Sequence, residues 1–163
     1  MNDQQPIVRY AARAIVIDDA GRTLLFRAAV PGREPAFFIW ITPGGGINEG
    51  ELEPDCIRRE VFEETGLSEF ELGPCVWRRD QTFPWGDNMI RQLESYYVVR
   101  APAFEVNVDG QEELERAFLS DHRWFTVEEL RAHEEILVPA NFAELLEPLL
   151  AGEYPAEPLK VGV

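Results

Sequence analysis

The stretch Gly45-Gly46-Ile47-Asn48-Glu49-Gly50-Glu51-Leu52-Glu53-Pro54-Asp55-Cys56-Ile57-Arg58-Arg59-Glu60-Val61-Phe62-Glu63-Glu64-Thr65-Gly66-Leu67 decides how this chain is read. Within it, Glu60, Glu63 and Glu64 stand at i, i+3 and i+4. Side chains at those spacings share one face of a helix, so a helix here stacks three carboxylates close together. Like charges so placed repel, and an unaided helix is destabilised by them. Hard oxygen donors in such a cluster suit Mg²⁺ or Mn²⁺, which take carboxylates, water and phosphate oxygens. A cation removes the repulsion. The competing reading of these acids is a solvated helix face, and the flanking residues decide between the two.

Those flanks specify a complete helix. Pro54 falls in the first turn, where its missing N–H costs little, and Glu53 and Asp55 complement the positive end of the helix dipole. Cys56, Ile57 and Val61 form an apolar stripe separate from the carboxylates, so one face packs while the other stays wet. Gly66 follows Thr65 as a natural helix stop, with Leu67 positioned for the accompanying apolar contact. The spacing therefore predicts a helix over residues 53–65. Arg59 reaches Asp55 or Glu63 at i±4 and steadies the neighbouring acids. Upstream, Thr42-Pro43-Gly44-Gly45-Gly46 lets backbone approach a ligand closely. A glycine-rich loop entering a helix is a recurrent phosphate cradle, although by itself it is equally a plain strand-to-helix connection.

The whole segment, Gly45-x5-Glu51-x7-Arg59-Glu60-Val61-x-Glu63-Glu64-x-Gly66-Leu67, resembles the signature of the Nudix hydrolases, with no departure from it. Beyond the signature the resemblance is looser, extending to Arg123-Trp124-Phe125 and Glu128-Glu129-Leu130. It implies a mixed curved β-sheet sandwiched between α-helices, an α/β (α+β) fold, with the signature as a loop–helix–loop catalytic motif. It also implies that Glu60 and Glu64 are the principal ligands of Mg²⁺ (or Mn²⁺). Glu63 assists them, and the carbonyl of Gly44 completes the shell. Arg59 would salt-bridge Glu51. Gly45 and Gly46 would lie against the substrate. Members of the family cleave the phosphoanhydride bond of a nucleoside diphosphate linked to another moiety. They differ in whether the general base is the residue matching Glu60 or an acid on a later loop. Here that later acid is sought among Glu112, Glu113 and Glu115, or at Glu94 on a strand. The alternatives are a catalytically silent Nudix-fold nucleotide-binding regulator, or a non-hydrolytic enzyme of that fold. Both would be expected to have lost signature carboxylates, and all are kept here.

Composition narrows the partners. With 163 residues the chain is expected to form one domain over residues 1–163 and bury a sizeable core. A net charge of −15 disfavours a surface built to grip nucleic-acid backbone, so the expected partner is a small nucleotide diphosphate. The metal and a few arginines must then offset the substrate's charge locally. No stretch approaches the apolar length of a membrane span, and no signal peptide is visible. Cys56 and Cys75 form no ligand or redox pattern and read as core residues in a reducing compartment. The cytoplasm is the expected location, and a homodimer is compatible with these features.

Apolar and β-branched runs predict strands at residues 10–18, 23–29, 36–42, 75–83, 90–100 and 122–126. Residues 31–35 read as a loop, and residues 84–88 as the loop of a hairpin. Residues 107–120 read as a polar, acidic loop. Residues 127–130 open one further helix, and residues 140–150 form the last one. The tail, about 154–163, reads as extended or poorly ordered. Arg13 and Arg27, on the first two strands, are candidates to meet phosphates or to pair with surface acids. Trp85 and Phe83 are candidates to stack on a nucleobase or to anchor a loop. His122 and His133 are isolated, and no chemistry is assigned to them.

Overall fold

A computed structural model describes residues 5–30, 32 and 34–162, apart from the side chains of Leu114 and Ala117. Pro31, in the expected loop, lies outside them. Strand β1 (Ile7–Ile17) is central, and its alternation sets the layers. Ala12, Ala14 and Val16 face one side of the sheet, Ile15 and Ile17 the other. The first side receives α1 (Glu53–Thr65) through Cys56, Ile57 and Val61, together with Leu24, Phe26 and Val99. The second receives α3 (Val127–Ala132) and α4 (Phe142–Leu150), where Leu130, Phe142, Leu146 and Leu149 meet Trp77, Tyr96 and Val98.

The remaining strands are β2 (Thr23–Ala29), β3 (Phe38–Ile41), β4 (Gly44–Gly46), β5 (Glu71–Trp85), β6 (Asn88–Arg100), β7 (Leu119–Phe125), β8 (Ile136–Leu137) and β9 (Leu159–Lys160). They join β1 in a mixed sheet ordered β8-β3-β2-β1-β6-β5-β9, with β4 paired to β1 and β7 to β2. Pairing of β1 with β6 is parallel from Ile7↔Ile90 to Ile17↔Arg100. The short glycine strand runs antiparallel to β1, with Ala12 opposite Gly45 and Arg13 opposite Gly44. This is the mixed curved sheet between helices that the sequence predicts.

Helix α1 has the expected bounds, and Gly66 ends it in the left-handed region at φ 79°. Two local expectations are corrected, and one open alternative is decided. Strand β5 starts earlier than residue 75 and continues through Phe83 and Trp85, so the expected loop shrinks to Gly86 and Asp87. Gly86 at φ 63° supplies the positive φ that a two-residue hairpin turn requires. The acidic segment 107–120 is not all loop, because Glu113–Phe118 forms helix α2. Six residues are too few for a periodic apolar pattern to stand out. The tail is extended: β9 pairs with β5, and Val161 is buried against the second core. No helix among the described residues is long and apolar enough to cross a membrane.

Phe142 ties α4 to the sheet, its ring standing edge-on to Trp77 with centroids 5.4 Å apart. Both side chains are fully buried. Phe142→Ala removes that contact and leaves a void, and urea unfolding should show a loss of about 3–5 kcal/mol. A loss well below 1 kcal/mol would mean that α4 is not seated on the sheet as described.

Candidate active site

The site forms where α1 crosses the glycine strand. Gly44 adopts φ 144°, and a Cβ there would lie 2.3 Å from the Ala12 carbonyl. At Gly45 a Cβ would sit 2.7 Å from the Glu60 carboxylate. Only glycine admits so close an approach of backbone to side chain. The Gly44 amide donates to Glu64 Oε2 at 3.1 Å, which fixes one carboxylate of the helix on the strand.

Arg59 organises the acids around it. Its Nε donates to Glu51 Oε2 at 2.8 Å and its Nη2 to Glu51 Oε1 at 2.9 Å, a bidentate pair. Its Nη1 donates to Glu60 Oε1 at 2.7 Å and, more weakly, to Glu63 Oε2 at 3.5 Å. The Gly46 carbonyl accepts from Nη2 at 3.0 Å. The hydrogen bonds from Arg59, chiefly, hold the Glu51 carboxyl at about 2. Asp55, the other partner that spacing allowed, is not engaged by Arg59.

Glu60 and Glu64 are buried, and half-buried Glu115 joins them from α2. Each offers a carboxylate oxygen within 4.8 Å of the others. Burial, reinforced by Glu60, pushes Glu64 well above the ordinary carboxylate range against the opposing pull of Arg13 and the Gly44 amide. Glu115 is raised by burial and by Glu60, and Glu63 by the same two causes. Three crowded carboxylates facing so little positive charge form the hard, all-oxygen donor set that a small divalent cation accepts.

The positions of the remaining expected residues divide sharply. A cavity of about 480 Å³ opens beside the cluster, and Arg9, Arg13, the three glycines, Trp85 and Phe118 line it with the acids. Trp85 is 42% exposed there, and Phe83 packs its ring against Trp85 at 6.1 Å without lining the cavity. Arg27 is turned away. It does not line the cavity, pairs with Glu135 at 2.7 Å and lies over the Phe38 ring at 3.6 Å. Among the later acids, Glu112 and Glu113 are exposed, while Glu115 reaches the cluster. Glu94 is buried in an ion pair with Arg13 and Arg79, away from the ligand cluster. Gly44 offers its carbonyl to Arg13 Nη1 at 3.2 Å.

Sequence reasoning missed Arg9 and Phe118. Arg9 makes no ion pair among the described residues and lines the cavity together with Trp85. Its signal was present in the alternation of β1, which puts Arg9 on the face of Arg13. Segment 107–111 could not be placed from sequence. It docks on the end of α1 through Asn107 N to Thr65 O at 2.9 Å and Gln111 Nε2 to Glu64 O at 3.0 Å. Cys56 lies under the glycines, its thiol pushed to about 11 by burial, as befits a packing residue.

Comparison with known proteins agrees with this geometry. The family model of the NUDIX domain matches residues 8–146. Nudix hydrolase 19, chloroplastic, of Arabidopsis thaliana is 35% identical over 94 residues, which are 57% of this chain and 19% of that protein. The RNA pyrophosphohydrolase of Bartonella clarridgeiae is 50% identical over 34 residues, 21% of this chain and 20% of that one. The chain thus spans about a fifth of the length of the curated relatives it matches. Among solved structures, the MutT protein from Methanosarcina mazei Go1 superposes with a TM-score of 0.63 at 19% identity, covering 93% of this chain and 98% of its own. With the signature intact, its helix built as described and the family model spanning most of its length, the chain belongs to the Nudix family.

Proposed function

We propose that the protein is a metal-dependent pyrophosphohydrolase that cleaves the phosphoanhydride bond of a nucleoside diphosphate linked to another moiety. The observation that carries this reading is the convergence of Glu60, Glu64 and Glu115 on a cavity that Arg9 and Trp85 also line. The name of the Bartonella relative, an RNA pyrophosphohydrolase, supports the same bond type. No signature carboxylate is lost, which leaves the silent regulator without an observation in its favour.

In this reading Glu60, Glu64 and Glu115 hold Mg²⁺ or Mn²⁺, with Glu63 and the Gly44 carbonyl beside them. When bound, such an ion supplies Lewis acidity and lowers the pKa of a coordinated water. The chain's own residues do the rest. Arg59 keeps Glu60 and Glu51 in place, and the Gly44 amide aims Glu64. Glu115 pairs with no arginine among the described residues, and burial and Glu60 raise its pKa, which makes it a stronger acceptor for the proton of an attacking water. Arg9 and the part of Arg13 not engaged elsewhere face the phosphates, and the Trp85 ring stacks on the non-reacting moiety.

Glu60→Gln and Glu64→Gln each keep side-chain shape and remove charge. With Mg²⁺ and a panel of nucleoside diphosphate derivatives, kcat should fall by about 10²–10³-fold while circular dichroism stays unchanged. Near-normal turnover in either variant would overturn the ligand assignment.

The raised Glu64 pKa has a stability consequence with a definite sign. Because the folded value lies above the unfolded one, its contribution is fully present below the ordinary carboxylate pKa and is lost as pH rises through the folded value. Metal-free Glu64→Gln protein should therefore melt higher than the parent at neutral pH, with the gap closing toward pH 4.5. Added Mg²⁺ should raise the parent's Tm and leave the variant's nearly unchanged. A gap independent of pH would contradict the assignment.

Trp85→Ala should raise KM for the best substrate by the equivalent of about 1–3 kcal/mol with kcat changed far less. An unchanged KM accompanied by a lower Tm would make Trp85 a strand anchor instead.

A further inference from the structure

Glu94 is a tightly held carboxylate outside the ligand cluster. It lies in the middle of β6, 5% exposed. Its Oε2 accepts from Arg13 Nε at 2.7 Å and from Gln92 Nε2 at 3.2 Å, and its Oε1 accepts from Arg79 Nη1 at 2.9 Å. Register places Arg79 of β5 directly opposite Glu94, so three strands converge on this one side chain. Burial alone would raise its pKa, and the two arginines more than offset that, so the carboxyl stays charged. A proton acceptor so fully engaged has no capacity left for catalysis.

Arg13 carries the connection onward. Its Nη1 donates to the Thr42 and Gly44 carbonyls, both at 3.2 Å, and the Gly44 amide in turn donates to Glu64. A guanidinium is a rigid planar fork, so holding Nε on Glu94 fixes where Nη1 points. Arg13 is only 14% exposed and needs a buried partner. Besides Glu94, the other carboxylate whose field it feels is that of Glu64.

We infer that Glu94 is a positioning residue that keeps Arg13 on the backbone of the glycine strand and off the Glu64 carboxylate. Without Glu94, Arg13 turns to Glu64 and occupies a ligand of the cation. The inference rests on the metal reading proposed above, and it assigns Glu94 no contact with substrate.

The test measures Mn²⁺ binding to the full chain, by titration calorimetry or by the loss of the free-ion electron paramagnetic resonance signal. Glu94→Gln should weaken Mn²⁺ by about 10–100-fold, the range typical of lost outer partners of a ligand. Glu94→Asp keeps the charge and should bind far more nearly as the parent does. The decisive variant is the double substitution Arg13→Gln with Glu94→Gln. Removing the competitor should restore most of the affinity, which a merely structural role for Glu94 would not do. Glu64→Gln serves as the reference. Should it bind Mn²⁺ like the parent, the metal reading itself fails. Should it bind weakly while Glu94→Gln binds normally, only the present inference is overturned. A double variant as weak as Glu94→Gln alone, with a Tm equally lowered, also overturns it.

Discussion

At Gly45 the approach of α1 to the glycine strand is closer than any side chain there would allow. The Glu60 carboxylate occupies the space a Cβ on Gly45 would need, and the Ala12 carbonyl does the same at Gly44. Much follows from this one contact. Strand β1 must present small residues, Ala12 and Ala14, so that α1 lies low on the sheet. The register of β4 on β1 must place Gly45 opposite Ala12, because a one-residue slip would put each glycine against the wrong neighbour. Cys56 beneath the glycines and Gly66 at the helix end then fix the height and length of α1.

That geometry stores electrostatic tension. Glu60 and Glu64 are buried side by side, and Glu115 adds a third carboxylate. Arg59 neutralises the rim of the cluster and one amide steadies its interior, while Arg13 is held aside. The net charge of −15 comes from 30 acids against 15 basic residues, so the pairing of each arginine near the cluster matters. Arg59 and Arg13 border the acidic cluster, Arg79 steadies Glu94, and Arg27 pairs with Glu135 outside the cavity. Local instability of this kind is characteristic of sites that await a ligand.

The helix and its acids were legible because everything that specifies them is local. Caps, apolar stripe and carboxylate spacing all lie within residues 53–67, and the structure reproduces them. Other features depend on partners distant in sequence and could not be read. Arg27 and Arg13 look alike on neighbouring strands and alternate onto the same face, yet the partner of each, Glu135 or Glu94, decides its role. Trp85 sits beside Pro84 and Gly86, which suggest a loop, but pairing with β6 carries the strand through it. Glu115 separates from Glu112 and Glu113 only once segment 107–111 docks on the end of α1.

The parallel pairing of β1 with β6 brings together residues such as Arg13 and Glu94 that lie 81 positions apart. Contacts of that sequence separation form only after a long loop has closed, and they slow folding. Helix α1 lies between these strands in sequence, so it is part of the loop that must close. Its C-cap at Gly66 and its own hydrogen bonds are local, whereas the cavity lining from β1 and β5 arrives only with the central sheet. A chain in which these strands have not yet paired therefore carries the acidic helix without the rest of the cavity lining.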